Sequence, residues 1–260
     1  PFIFKSTLIT EGISMISPNA AINANNVVYF MDRRNFYIYT GAAQTLPCTV
    51  LGYVFDNLNQ DQAEQVFAFA NTAFNEVGWF YCTGESTVID SYVTYNYVEK
   101  AWSIGSLGRT AWDDAGATSS VPLATETVSD VGYVYNHETG YNADGSAMTA
   151  FLETADFDID DGEHFAFVRR LLPDVEFIGS NTAPELTYTL KSRSDATGTL
   201  SNQSSTTVTN SNNYGVSNVR ARGRQMRVRM ESTDVGRRNS RRRIWKRILR
   251  FNSFSTKQNL

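Results

Sequence analysis

From Val66 to Gly105 short apolar runs alternate with polar breaks. VFAFANTAF, VGWFYC, YVTYNY and AWSIG are rich in aromatic and β-branched residues, and stretches such as TGESTVIDS and VEK separate them. Flat and branched side chains pack well on a pleated surface, so each run predicts a strand and each break a turn. Four antiparallel strands in about forty residues make a unit the size of one propeller blade. Upstream, ISMIS, NVVYFMD, NFYIYTG and TLPCTV predict a second set of four; downstream, GRTAWDD, VPLATETVS, VGYVYNHE and SAMTAFLETADF predict a third. The stretch NVVYFMDRRNFYIYTG (26–41) returns as SYVTYNYVEKAWSIGS (91–106) and more loosely as VGYVYNHETGYN (131–142). One blade cannot bury both of its faces, so a repeated hairpin predicts packing around an axis. Only NLNQDQAEQ reads as helical, with Asn59 or Asp61 as its cap.

After about Thr154 the texture changes. HFAFVRRLLPDVEFIG, ELTYTLKSRS and NVRARGRQMRVRMES predict longer strands, and SNQSSTTVTNSNN, eleven of whose thirteen residues are Ser, Thr or Asn, predicts a polar loop. In RQMRVRM the alternation sets Met226, Val228 and Met230 on one face and Arg227 and Arg229 on the other. The end, RRNSRRRIWKRILRFNSFSTKQNL, is either a basic amphipathic helix that clusters Ile244, Trp245, Ile248 and Leu249, or disordered. The resulting expectation is an all-β protein. β-Propeller blades, part of a larger propeller, occupy 1–153, a β-rich C-terminal module 154–235 and a basic tail 236–260.

Composition fits an ordinary folded chain, with 42% hydrophobic and 19% charged residues, and no apolar run of bilayer length interrupts it. The start, PFIFKSTLIT, has neither the basic nor the apolar region of a secretion signal, which predicts a soluble chain. Without an initiator methionine, and with strand-like residues from the outset, it reads as the C-terminal part of a longer polypeptide. Charge is distributed unevenly. Residues 219–260 carry fourteen Lys and Arg against Glu231 and Asp234, a net of +12, while the 218 residues before them carry a net of −16. An acidic body with a basic end predicts contact with a polyanion or with another acidic surface. Arg220, Arg222, Arg224, Arg227 and Arg229 are the candidate contact residues, for DNA or for a neighbouring subunit. Extended backbone would space alternate guanidiniums ~6.6 Å apart, close to the interval between phosphates.

Little else points to chemistry. Cys48 and Cys82 are isolated, without ligand spacing, and read as small core residues. Asp156, Asp158 and Asp160 have the spacing of a calcium loop, but the glycine falls one place late at Gly162 and the twelfth position is Phe167. His137 and His164 read as surface turn residues. No serine stands in a G-x-S-x-G context, GSLG at 105–108 lacks a phosphate-binding lysine, and no particular carboxylate pair suggests hydrolysis. Neither catalytic, cofactor nor metal residues are assigned, and the chain is not expected to be an enzyme.

The runs NNVVYFMDRRNFYIYTGAAQTLPCTVLGYVFDNLN, FNEVGWFYCTGES, YVTYNYVEKAWSIGSLGRTAW, GSAMTAFLETADFDIDDGEHFAFVRRLLPDVEFIGS and VRARGRQMRVRMEST resemble the C-terminal half of tailed-bacteriophage virion structural proteins. They are similar to the β-propeller tail hub and nozzle group, also described as packaged-DNA stabilisation proteins. The resemblance departs after MEST, where a Trp-Arg-Leu-Gly-like run is replaced by DVGRRNSRRRIWKRILRFNS. It implies a ring of copies around the portal axis at the head-to-tail junction of a virion made in the host cytoplasm. Its implied partners are further copies of the chain, portal or adaptor proteins and packaged double-stranded DNA. No cofactor and no membrane anchor are implied. The alternative reading is a propeller that binds or cleaves glycans in host-surface recognition.

Overall fold

The computed structural model describes residues 8, 10–117, 119–139, 147–158, 164–173, 175, 177, 184–209 and 215–233. The protein is all-β, and the chain divides into two compact units at Thr139 and Gly140.

The first unit holds three antiparallel meanders. β1 (Ala21–Ala24), β2 (Val27–Met31), β3 (Phe36–Tyr39) and β4 (Ala43–Thr45) form a sheet in that order. Asn25 and Asn26, with φ of 51° and 62°, make the two-residue turn from β1 to β2. Both central residues of such a turn need the left-handed region, which asparagine tolerates. After the helix α1 (Leu51–Asn57) come β5 (Phe67–Asn71), β6 (Glu76–Tyr81), β7 (Ser91–Asn96) and β8 (Ala101–Ser106), again in chain order across the sheet. These four match the strands expected between Val66 and Gly105. The third sheet has only three strands, β9 (Ala111–Asp113), β10 (Leu123–Val128) and β11 (Val131–Asn136), with β11 at its edge.

Several local expectations are corrected. ISMIS is not the first strand; Ile16 and Ser17 are buried before β1, where the Ser17 hydroxyl donates to the Val66 carbonyl. TLPCTV contributes only its first residue to β4, and Pro47 has no N–H with which to extend a ladder. The α-helix lies at Leu51–Asn57, before the expected segment, because burial of Val54 against the core outweighs the strand preference of LGYVFDN. The expected helical stretch is a short 3-10 turn, Gln60–Gln65, in which Asn59 Oδ1 accepts from the Asp61 N–H at 3.0 Å.

Aromatic side chains bind the sheets together. Phe36 lies 4.7 Å from Trp79 and 4.8 Å from Trp102 between ring centres, and Tyr95 lies 4.9 Å from Trp102. Each described indole also donates to a backbone carbonyl of the preceding sheet or its flank: Trp79 to Ala20, Trp102 to Pro47 and Trp112 to Ala70. A buried indole N–H without an acceptor is costly, so these bonds fix how successive sheets pack. β1 consequently lies beside β5, and β5 beside β9. Cys82 is buried, and Cys48 is half-buried against this core, where burial pushes its thiol up to about 11 against a smaller opposing effect of the Val50 backbone.

The second unit packs two sheets face to face. One contains β12 (Ala150–Glu153), β13 (Phe157–Asp158), β15 (Glu185–Arg193), β16 (Ser201–Thr209) and β18 (Gln225–Ser232). The other is a ribbon of β14 (Ala166–Leu171) and β17 (Ser217–Gly223). Their facing sides bury Val168, Leu190, Val208, Ala221, Met226 and Val228, and the expected burial of Met226, Val228 and Met230 is observed. β12 pairs with β18, so the SAMTAF run does not complete the third meander. Nor is SNQSSTTVT a loop. Its threonines suit an edge strand, its hydroxyls meet those of β15 (Thr187–Thr207, 3.4 Å; Thr189–Ser205, 3.3 Å), and its one apolar residue, Val208, is fully buried. NVRARGRQMRVRMES is two strands in different sheets. The chain crosses over at Gly223, where an added Cβ would stand 2.6 Å from the Ser192 Cβ and 2.9 Å from the Arg193 carbonyl oxygen.

Candidate functional site

The crossover at Gly223 separates the five candidate arginines. Arg220 and Arg222 project from the outer face of β17, Arg224 follows the bend, and Arg227 and Arg229 stand on the outer face of β18 in the other sheet. The two pairs therefore meet different surroundings.

On β18 the arginines are already matched. Arg227 donates to Glu153 at 2.9 Å and to Asp156 at 2.7 Å; Arg229 donates to Glu153 at 3.1 Å and to Glu231 at 2.7 Å. Lys191 reaches Glu153 at 2.9 Å, and Arg193 reaches Asp156 at 2.8 Å. Four cations share three carboxylates across β12, β15 and β18, with Glu153 accepting from three of them. Burial raises the Glu153 carboxyl, but hydrogen bonds from Arg227, Lys191 and Arg229 outweigh it and bring it down to about 2. This lattice ties strands together and commits two guanidinium nitrogens of each of Arg227 and Arg229 to carboxylates. Asp156 and Asp158 belong to the same surroundings, Asp158 accepting from Gln225 at 3.3 Å. Asp160 and Gly162 lie outside the described residues, and no cluster of metal-ligating side chains occurs among the described ones.

The ribbon is different. Alternation turns Phe167 and Arg169 of β14, and Arg220 and Arg222 of β17, away from the core; Arg170, beyond a register shift, is exposed as well. Phe167 stands directly opposite Arg222. The Arg222 guanidinium lies 4.8 Å from the centre of the Phe165 ring, and that of Arg169 lies 5.2 Å from Phe167. Both rings are largely uncovered, Phe165 at 49% and Phe167 at 42%. Neither strand contains an acidic residue, and none of Arg169, Arg170, Arg220 and Arg222 forms an ion pair with a described residue. With outward residues ~6.6 Å apart along each strand and ~5 Å across the pair, this face sets several guanidiniums, none ion-paired among the described residues, at phosphate spacing. The sequence reading named Arg220 and Arg222 but missed their neighbours. The alternation in HFAFVRRLL was the available signal.

A second cluster, in the first unit, corrects the expectation that His137 is a surface turn residue. Its Nε2 accepts from Arg109 Nε at 2.9 Å, and its ring packs 4.7 Å from Trp112. Arg109 is itself buried, donates to Glu126 Oε2 at 2.6 Å and lies 4.3 Å from the Tyr135 ring centre. Burial, aided by the Arg109 charge, pushes the His137 imidazole down to about 4. With Nε2 accepting, the neutral ring carries its proton on Nδ1. Through Arg109, Glu126, Trp112 and Tyr135 this cluster ties β9, β10 and β11 together. His164 is exposed, in keeping with its expected place.

No family model and no curated protein matches the chain. Among solved structures, a likeness is found to an exo-β-1,3-galactanase from Phanerochaete chrysosporium, at 7% identity and a TM-score of 0.27, over 82% of this chain and 66% of that one. A similarity of that size carries no argument about fold or activity.

Proposed function

We propose that this chain is a structural protein of a tailed-phage virion. In this reading it forms part of the head-to-tail or tail channel, where copies around an axis help to retain packaged DNA and then conduct it. The sequence resemblance supports the particle. The observation that supports the role is the ribbon face, where Arg169, Arg170, Arg220 and Arg222 form no ion pair with a described residue and stand beside exposed Phe165 and Phe167. Such a face meets the phosphates of DNA without reading sequence, as a conduit requires. The three meanders of the first unit are, in this proposal, consecutive propeller blades. The side-by-side placement of β1, β5 and β9 and the chain of indole hydrogen bonds from sheet to sheet support that reading.

The test is double-stranded DNA binding by the whole chain as a function of salt. Replacing both Arg220 and Arg222 by alanine is expected to weaken binding and to flatten the slope of log K against log[salt] by about 2, roughly one for each lost phosphate contact. Arg227→Ala is expected to leave the slope unchanged, because that guanidinium is committed to Glu153 and Asp156. Absence of salt-dependent binding, or equal effects of the two changes, would overturn the reading.

A further inference from the structure

The loop joining β2 to β3 lifts two arginines into a cleft that the DNA reading does not use. The Asp32 N–H donates to the Asn35 carbonyl at 2.9 Å, which closes the loop and leaves Arg33 and Arg34 exposed at its tip. Together with α1 and Gln60 they border an open cleft of about 610 Å³. Phe55 lies in its wall, half-buried and held by Phe36 at 5.3 Å between ring centres. Asp56 and Gln60 are exposed at the same cleft, and at Gly52 an added Cβ would meet only the Asp56 carboxylate, in ordinary contact. Neither Arg33, Arg34 nor Asp56 forms an ion pair with a described residue.

We propose that this cleft is a binding site for an acidic saccharide, a short glycan bearing one carboxylate. A cleft of this volume falls in the range that holds small ligands. A guanidinium matches a carboxylate with two parallel hydrogen bonds, so Arg33 or Arg34 fixes the anionic group. Asp56 then decides the class. Its charge opposes every anion, but a compact polyanion such as phosphate more than a single carboxylate held at a distance by the arginines, and its oxygens, with the Gln60 amide, suit the hydroxyls of a sugar. The anchored Phe55 ring offers an apolar surface for the C–H face of the same sugar. A monoanionic, hydroxyl-rich ligand satisfies all of these groups at once. The site is independent of the ribbon face, so either proposal stands without the other.

The experiment titrates the whole chain with a disaccharide of one uronate and one neutral sugar, followed by NMR shifts of the Phe55 and Gly52 amides. The neutral disaccharide of the same linkage and inorganic phosphate are the comparison probes. The expected result is saturable binding of the uronate disaccharide, at least tenfold tighter than of either comparison, and at least a tenfold loss in the Arg33→Ala, Arg34→Ala double variant. Gly52→Gln tests the space itself. An added Cβ there meets only the Asp56 carboxylate at 3.5 Å, so the change fills the cleft without straining the helix, and binding should be lost with the fold intact. Failure of the uronate disaccharide to bind overturns the proposal. So does equal binding of the neutral sugar or of phosphate, or full retention of affinity in either variant.

Discussion

Replacing Glu153 by glutamine tests whether the second unit is held by its charge lattice. The carboxylate receives Lys191 and Arg229 on Oε2 and Arg227 on Oε1, at 2.9, 3.1 and 2.9 Å, with its side chain only 16% exposed. Partly exposed pairs contribute about 0.5 kcal/mol each, which gives ~1.5 kcal/mol for the three. The fall of this carboxyl from 4.5 to about 2 sets a ceiling near 3 kcal/mol, which solvent screening reduces. The expected loss at neutral pH is therefore about 1–2 kcal/mol. Its pH dependence has a definite sign. Since the folded value lies below the unfolded one, the stabilisation is fully present above about 4.5 and disappears as pH falls through about 2. Wild type and variant should thus converge in acid, with under half of the difference left at about pH 3. Hydrogen exchange of the Leu190 and Val228 amides reads this unit alone, which global unfolding of a two-unit chain does not. A loss below about 0.3 kcal/mol at neutral pH, or an equal loss at both pH values, would show that packing and not the lattice secures these strands.

Three further outcomes are expected. The His137 ring should hold its Nδ1–H tautomer and titrate only near 4 by NMR, and the first unit should lose stability as pH falls from 6.5 through 4, because the unfolded chain takes up the proton first. His137→Gln should remove that part of the acid sensitivity. Gly78→Ala should cost the first unit about 2 kcal/mol, read by tryptophan fluorescence during urea unfolding, because the new Cβ would fall 2.5 Å from the Phe69 ring and 2.6 Å from the Val93 carbonyl oxygen. Val208→Ser should destabilise β16 far more than Ser205→Ala, since Val208 is fully buried while Ser205 faces solvent; exchange of the β16 amides measures the difference.

The all-β class was legible because the aromatic and β-branched runs were dense and regularly interrupted. β5 to β8 followed from that pattern almost residue for residue. β16 was not legible, because its side chains are nearly all polar. What makes it a strand is a partner, β15, twenty residues away at Thr187 and Thr207. The helix at Leu51–Asn57 was hidden for the opposite reason, since its aromatic and branched residues mimic a strand until the burial of Val54 decides the matter. Within the candidate site, strand alternation correctly split Met226 and Val228 from Arg227 and Arg229. It did not reveal that Gly223 sends the two arginine pairs to different sheets, because that depends on the close approach of Ser192 and Arg193. Charge counting saw one basic stretch where the fold makes one carboxylate-matched lattice and one face without an ion pair among the described residues. The Arg109–His137 pair, separated by 28 positions, left no local signal.

The most direct test of the proposed role is cryo-electron microscopy of portal-containing phage particles incubated with the whole chain. The account predicts a ring of added density on the portal axis, with the β14–β17 face lining the passage. A chain that remains a monodisperse monomer and leaves the axis unoccupied would contradict it.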